Sequence, residues 1–340
     1  MKEVRAHARE LMKGFCRVCP VCDGRACAGE VPGMGGLGTG RAFMNNVSAL
    51  ASVRLNMRLI HEAVQPDTSR ELLGVKLSLP VLAAPIGGVS FNMGGGVSEA
   101  DYIRAVVLGC KEAGSLGCTG DGVPEVIHKE AFAAIREADG HGIPFIKPWE
   151  DEELYRKLEG ALDAGARILG MDIDAAGLVT LRKMGRPVSP KTPEKLREII
   201  EWSPVPFVLK GIMTADEAKM ARDVGAAGIV VSNHGGRVLD HTPGVSEVLA
   251  EVAAPVRGEI AILADGGVRT GEDVLKMLAL GADAVLIGRP FSVAAVGGLK
   301  DGVTAYLEQL RGELIRSMVL TGCADLAAVD GRILFNGGRR

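Results

Sequence analysis

Aromatic residues make up only 4% of this 340-residue chain, so rings cannot supply the bulk of a core. An excess of one charge is also missing. Lys and Arg number 39 against 42 Asp and Glu, a net charge of −3, which argues against nucleic acid as a partner. No apolar run reaches the ~18 residues of a membrane span, so no membrane partner is expected. Residues 1–10 (MKEVRAHARE) are charged and read as a helix. They lack the apolar stretch of a secretory signal, and the cytoplasm is the expected location. The chain is too long for a disulfide-stapled miniprotein, and 47% hydrophobic with 24% charged residues excludes disorder. Glycine is abundant, at 46 residues, which points to an aliphatic core with many tight turns.

From residue 80 onward one pattern repeats. A short apolar run ends in Gly, Pro or a polar residue, and a helical stretch follows. The runs are 81–86, 115–119, 144–148, 168–173, 206–211, 228–232, 261–264 and 284–287. Each is nearly continuous in apolar character, as in parallel strands covered on both faces. Between them, Thr214 with Glu217 three residues on reads as a capping box closed by Gly225, and the stretch from Thr270 to Gly281 is built the same way. Eight such units predict an α/β fold, a (β/α)8 TIM barrel with an N-terminal extension, rather than a doubly wound open sheet. The expected division is an extension over 1–80, the barrel over 81–322 and a tail over 323–340.

In such a barrel the chemistry lies at the C-terminal strand ends. Those positions hold Ala84 and Pro85, Thr119 with Asp121, Lys147 with Trp149, Asp172 with Asp174, Lys210, His234 with Arg237, Asp265 with Arg269, and Gly288 with Arg289. Any one of them alone reads as a capped strand or a surface charge. A whole ring of them at one end reads as a site. The strings DGGVRTG (265–271) and GRP (288–290) follow the last two strands, where glycines and arginines suit a phosphate-bearing ligand.

With LKGI (209–212), SNHGGRVLD (232–240), DGGVRTG and GRP, the sequence resembles the FMN-dependent α-hydroxy acid oxidases and dehydrogenases, the glycolate and lactate oxidase family. The likeness is densest over 205–325. The resemblance implies FMN as cofactor, a small 2-hydroxy acid as substrate, and a homo-oligomer, commonly a tetramer. It implies His234 as the base, Asp174 as its partner and Arg237 as the substrate's carboxylate clamp. Lys210 would stabilise the reduced flavin, with Ala84, Pro85, Thr119, Lys147 and Ser232 around the coenzyme. Asp265, Gly266, Gly267, Arg269, Gly288 and Arg289 would hold its ribityl phosphate arm. Oxidising an α-hydroxy acid needs a base, a cation for the carboxylate and an electron sink, and no side chain accepts a hydride.

The chain also departs from that family. No Tyr precedes Tyr102, where the family uses one on the carboxylate. Lys147-Pro148-Trp149 replaces Gln-x-Tyr, so Trp149 takes the expected substrate-facing place, and Asp172-Ile173-Asp174 replaces Thr-x-Asp. The family's second arginine after strand 4 has no counterpart in register, and the 175–191 loop is short. These departures bear on the substrate more than on the flavin. Two rival readings remain at this level: a flavin-dependent isomerase of the type-2 isopentenyl diphosphate kind, and a flavin-binding protein without catalysis.

Cys16, Cys19, Cys22 and Cys27 form C-x2-C-x2-C-x4-C, while Cys110, Cys118 and Cys323 are scattered and read as small buried residues. The clustered thiols resemble the opening of a bacterial ferredoxin run, with four residues rather than three before the last Cys. Zinc sites space their pairs further apart. An iron–sulfur cluster or zinc, redox-active thiols, and a chemically silent segment all stay open.

Overall fold

The computed structural model describes residues 1–186 and 188–335, so the last five positions of the expected tail lie outside the described residues. Helix α1 (Lys2–Leu11) and helix α2 (Arg41–Ser52) precede a small hairpin of β1 (Arg70–Leu72) and β2 (Val75–Leu77). Then come β3 (Val81–Ile86), the short α3 (Val89–Asn92), α4 (Glu99–Glu112), β4 (Leu116–Thr119), α5 (Glu125–Glu137), β5 (Ile143–Ile146) and α6 (Asp151–Asp163). The chain continues through β6 (Leu169–Asp172), α7 (Val179–Lys183), α8 (Pro193–Trp202), β7 (Phe207–Ile212), α9 (Ala215–Asp223), β8 (Gly228–Val231) and α10 (Val245–Ala253). It ends with β9 (Ala261–Ala264), α11 (Gly271–Ala279), β10 (Ala284–Ile287) and the long α12 (Arg289–Thr321), which kinks at Leu299.

Strands β3 to β10 close into a parallel barrel, with β10 pairing back onto β3. The eight apolar runs of the sequence are these strands, each displaced by two residues at most. Successive side chains along a strand point to opposite faces. Leu82, Leu116, Phe145, Val208, Val230, Leu263 and Leu286 therefore fill the inside of the barrel. Val81, Ala83, Leu169, Met171, Leu209 and Ile229 pack outward under the helices. Both sets are buried, which explains why the strands read as unbroken apolar runs rather than alternating ones. Cys110, Cys118 and Cys323 are buried free thiols.

Two details differ from the sequence reading. Thr270 caps α11 by accepting from Asp273 N at 3.3 Å, whereas Thr214 heads α9 without accepting a backbone bond. The segment before the barrel also lies directly on it: α1 packs on α12 and α2 on α10. Residues beyond α12 return to that segment, with Asp67 bridging Asp325 and Leu55 bridging Leu334.

Candidate active site

The C-terminal ends of the strands surround a cavity of ≈260 Å3. Lys147, Lys210, His234 and Arg237 line it. So do Ala84, Pro85 and Asp265, together with the glycines and arginines after β9 and β10: Gly266, Gly267, Arg269, Gly288 and Arg289. Thr119, Asp174 and Ser232 sit behind this wall. Ser232 Oγ donates to Asp265 Oδ2 at 2.7 Å and accepts from His234 N at 3.0 Å.

The imidazole is held from one side. His234 Nδ1 lies 3.0 Å from both oxygens of Asp174. A carboxylate can only accept, so Nδ1 carries the proton and Nε2 is left as the free acceptor. Lys210 Nζ stands 3.2 Å from the same Nδ1, 3.3 Å from Asp172 Oδ1 and 3.7 Å from Asp174 Oδ2. Lys147 reaches the other Asp172 oxygen at 3.5 Å. Asp172 therefore serves two lysines, and it is buried with them. Asp172, Asp174 and His234 offer ligand atoms within 4.8 Å of one another, and the Lys210 ammonium is the cation among them.

Electrostatics follow from that packing. Burial pushes the Asp174 carboxyl up, but its contact with the His234 imidazole and the Lys210 ammonium outweighs that and brings it down to about 2. Burial works against the Lys210 ammonium, yet Asp172, Asp174 and Asp265 together raise it above the ordinary lysine value. Burial alone dominates at Asp265 and raises its carboxyl. Burial lowers the Arg237 guanidinium to about 10, and burial with the Arg237 charge lowers Arg289 to about 9. Both arginines remain cations at neutral pH.

Local backbone explains the SNHGGR string. His234, Gly235 and Gly236 all have positive φ, at 57°, 61° and 78°. That run turns the imidazole from the end of β8 into the cavity at the cost of a strained His backbone. A Cβ on Gly236 would meet Phe43 N at 2.5 Å, so glycine is required by α2 as well as by φ. Gly211, at φ 115°, lets Asp174 approach β7: a Cβ there would stand 2.6 Å from Asp174 Cβ. The glycines after β9 have a different reason from the one expected. Cβ atoms on Gly266 and Gly267 would collide with Asn46 at 2.8 Å and 2.4 Å, so these positions serve helix packing beside the cavity rather than ligand approach alone.

Two expected contacts require correction. Trp149 does not line the cavity. Its buried indole donates from Nε1 to Asp121 Oδ2 at 2.6 Å, and Lys157 lies 4.3 Å over its ring. A strand-end position fixed its neighbourhood but not the direction of its large side chain. Cys16, Cys19, Cys22 and Cys27 do not gather around a point: among the described residues no three of their sulfurs lie within 4.8 Å of one another, which removes the tight tetrahedron a single zinc ion needs.

Arg237 is already engaged. Nη1 donates to the Gly33 and Gly35 carbonyls at 2.5 Å and 3.3 Å, and Nη2 to Asn92 Oδ1 at 2.9 Å. A guanidinium has five N–H groups, so one on Nε and one on Nη2 stay uncommitted among the described residues. Sequence reasoning missed Asn92, Asn46 and Asp240. Asn46 exchanges bonds with Asn233 at 2.8 Å and 3.2 Å, and Asp240 ties the 39–42 backbone and the Thr39 hydroxyl to the loop after β8. No local pattern marks Asn92 or Asn46, and Asp240 closes the SNHGGRVLD string without a role that the string itself assigns.

FMN fits these residues. Asp265 Oδ1 and Arg269 Nε border the cavity as buried polar atoms without partners, and Thr119 Oγ1 behind them is likewise unpartnered. An acceptor and two donors left this way suit the hydroxyls, ring edge and phosphate of a flavin nucleotide. Comparison with known proteins points the same way. The family pattern described as FMN-dependent dehydrogenase matches residues 33–187 and 182–336. The chain is 32% identical over 322 residues to 4-hydroxymandelate oxidase of Amycolatopsis orientalis, covering 86% of this chain and 90% of that protein. It is 32% identical to an L-lactate oxidase of Lactobacillus jensenii, over 83% of this chain and 74% of the other. A crystal structure of mandelate oxidase with benzoyl-formic acid superposes with a TM-score of 0.79 at 30% identity, covering 98% of this chain and 97% of that one. Taken with the barrel and the residues at its mouth, these matches make the chain a member of the FMN-dependent dehydrogenase family.

Proposed function

We propose that this protein oxidises a 2-hydroxy carboxylic acid to the 2-oxo acid with FMN. The observation that carries this reading is His234, held through Nδ1 by Asp174 and beside Lys210, in one cavity with Arg237. Bound FMN supplies the two-electron acceptor. His234 takes the proton of the substrate through its free Nε2, and Asp174 stabilises the imidazolium that results. The uncommitted N–H groups of Arg237 bind the substrate carboxylate. Lys210 would offer positive charge to the reduced flavin, and Lys147 would add to it from the far side of Asp172. Asp265 would hold the ribityl chain, oriented by Ser232. Gly266, Gly267, Arg269, Gly288 and Arg289 would hold the phosphate, and Ala84, Pro85 and Thr119 would border the ring.

Phe91, Leu178, Leu181 and Met184 line the same cavity, which supports an acid with an apolar side chain at the carbon bearing the hydroxyl. No observation favours the isomerase reading, and His234 lies in the cavity wall rather than displaced from it, against a purely flavin-binding role. The family likeness also supports a homo-oligomer, a tetramer. No helix among the described residues is long and apolar enough to cross a membrane.

The test is anaerobic bleaching of the purified yellow protein by a panel of glycolate, lactate, mandelate and longer 2-hydroxy acids. Bleaching is expected, fastest with apolar side chains. Protein that holds FMN and is bleached by none of them would end this reading.

A further inference from the structure

The flavin chemistry leaves the four clustered cysteines unused, yet the fold gives them a chamber of their own. Cys16, Cys19, Cys22 and Cys27 all line a cavity of ≈450 Å3, and none forms a disulfide. The 16–27 loop forms one side of it, and Arg5, Arg269 and Arg289 stand around the rest. The hydrogen bonds of these three guanidiniums reach carbonyl oxygens and one sulfur, and no carboxylate among the described residues. Arg5 donates to Cys19 O at 2.6 Å. Arg269 Nη2 donates to Cys22 O at 3.3 Å and approaches Cys22 Sγ at 3.6 Å. Arg289 donates to Met34, Gly35 and Gly235 carbonyls. The Val18 backbone N–H points at Cys16 Sγ, at 3.4 Å.

Two of the four sulfurs, Cys16 Sγ and Cys22 Sγ, therefore face N–H donors, and Arg5, Arg269 and Arg289 bring positive charge to a space that the Asp23 carboxylate also lines. Burial pushes the Cys16 and Cys27 thiols up, and Arg289 works against it, so thiolate ligands here depend on such donors and charge. The size of the space selects among ligands. A single tetrahedral ion would need the sulfurs closer together than they are. A cubane of iron and sulfide holds its four thiolates further apart, at the corners of a larger body, and the assembled centre carries net negative charge that the arginines offset.

We propose that Cys16, Cys19, Cys22 and Cys27 ligate a four-iron iron–sulfur cluster in this chamber, which shares Met34, Arg269 and Arg289 with the flavin cavity.

The test uses the full chain, produced with iron available and purified without oxygen. About four irons and about four acid-labile sulfides per chain are expected. A broad visible absorbance should lie beneath the flavin bands, with a paramagnetic signal on dithionite reduction. Cys19→Ser and Cys22→Ser should lose iron and sulfide together while keeping FMN, because neither residue borders the flavin cavity. If these variants fail to fold, the metal content of the unaltered protein still decides. Flavin-loaded protein that stays iron-free after anaerobic treatment with ferrous iron and sulfide would overturn the proposal. So would stoichiometric zinc in place of iron, or Cys→Ser variants that keep their iron.

Discussion

Asp174 shows how one carboxylate sets the chemistry of its neighbours. It touches His234 Nδ1 with both oxygens, and the imidazole and the Lys210 ammonium beside it keep it ionised. Asp174→Asn removes the charge while keeping the shape. We expect flavin reduction by a 2-hydroxy acid to slow by ~10²–10⁴, with FMN content unchanged, in anaerobic stopped-flow measurements. An unchanged rate would take Asp174 out of the mechanism. The same residue predicts a pH effect with a definite sign. Its pKa is lower in the folded protein, about 2, than the ~3.9 of an unfolded chain. Its contribution to stability is thus complete above about pH 4 and is lost as pH falls through about 2. The melting-temperature advantage of the parent over Asp174→Asn should shrink across that window, as thermal scans in acid would record. At this scale the sequence was legible where a strand end is short and polar: His234, Lys210 and Asp174 were placed by position in the repeat. It was not legible for Trp149, since a strand end does not say which way a large ring turns, nor for Arg237, whose bonds to Gly33 and Asn92 join positions 204 and 145 residues away.

The turn from β8 into the loop after it is the element on which the site depends. Three successive left-handed residues carry His234 into the cavity, and Gly236 sits against the backbone at the start of α2. Gly236→Ala would bring a methyl group within 2.5 Å of Phe43 N, a main-chain atom that cannot rotate aside. We expect a loss of about 1–3 kcal/mol in stability and a slower His234-dependent reduction, read by denaturant unfolding and by flavin kinetics. Parent-like unfolding would mean that α2 yields more easily than its packing indicates. The glycines of 266–267 carry a related lesson. Their spacing was visible as a signal for close approach, but the approaching group is Asn46, which no local pattern could name.

Across the whole molecule, the segment before the barrel acts as one wall of the cavity rather than as an appendage. Asn46 is buried, exchanges two bonds with Asn233 from 187 positions away, and accepts from Val245 N at 3.0 Å. Asn46→Ala would leave the Asn233 amide and the Val245 N–H without these partners. We expect a cost of about 1–3 kcal/mol and reduced FMN retention, measured by thermal unfolding and by flavin-to-protein ratio. A variant with parent-like melting and full flavin would show that water replaces the bonds. The sequence by itself determined the barrel, because parallel strands buried on both faces must be continuous apolar runs and the helices between them must be amphipathic. It also determined which end carries the chemistry, because that topology sends every strand end to one rim. Only the tertiary structure decided how Arg237 is held, where Trp149 turns, that Asn46 and Asp240 fasten the first eighty residues to the loop after β8, and that four thiols share a chamber with Arg5, Arg269 and Arg289. Each of those depends on contacts between residues far apart in the chain, and periodicity and spacing record only what is near.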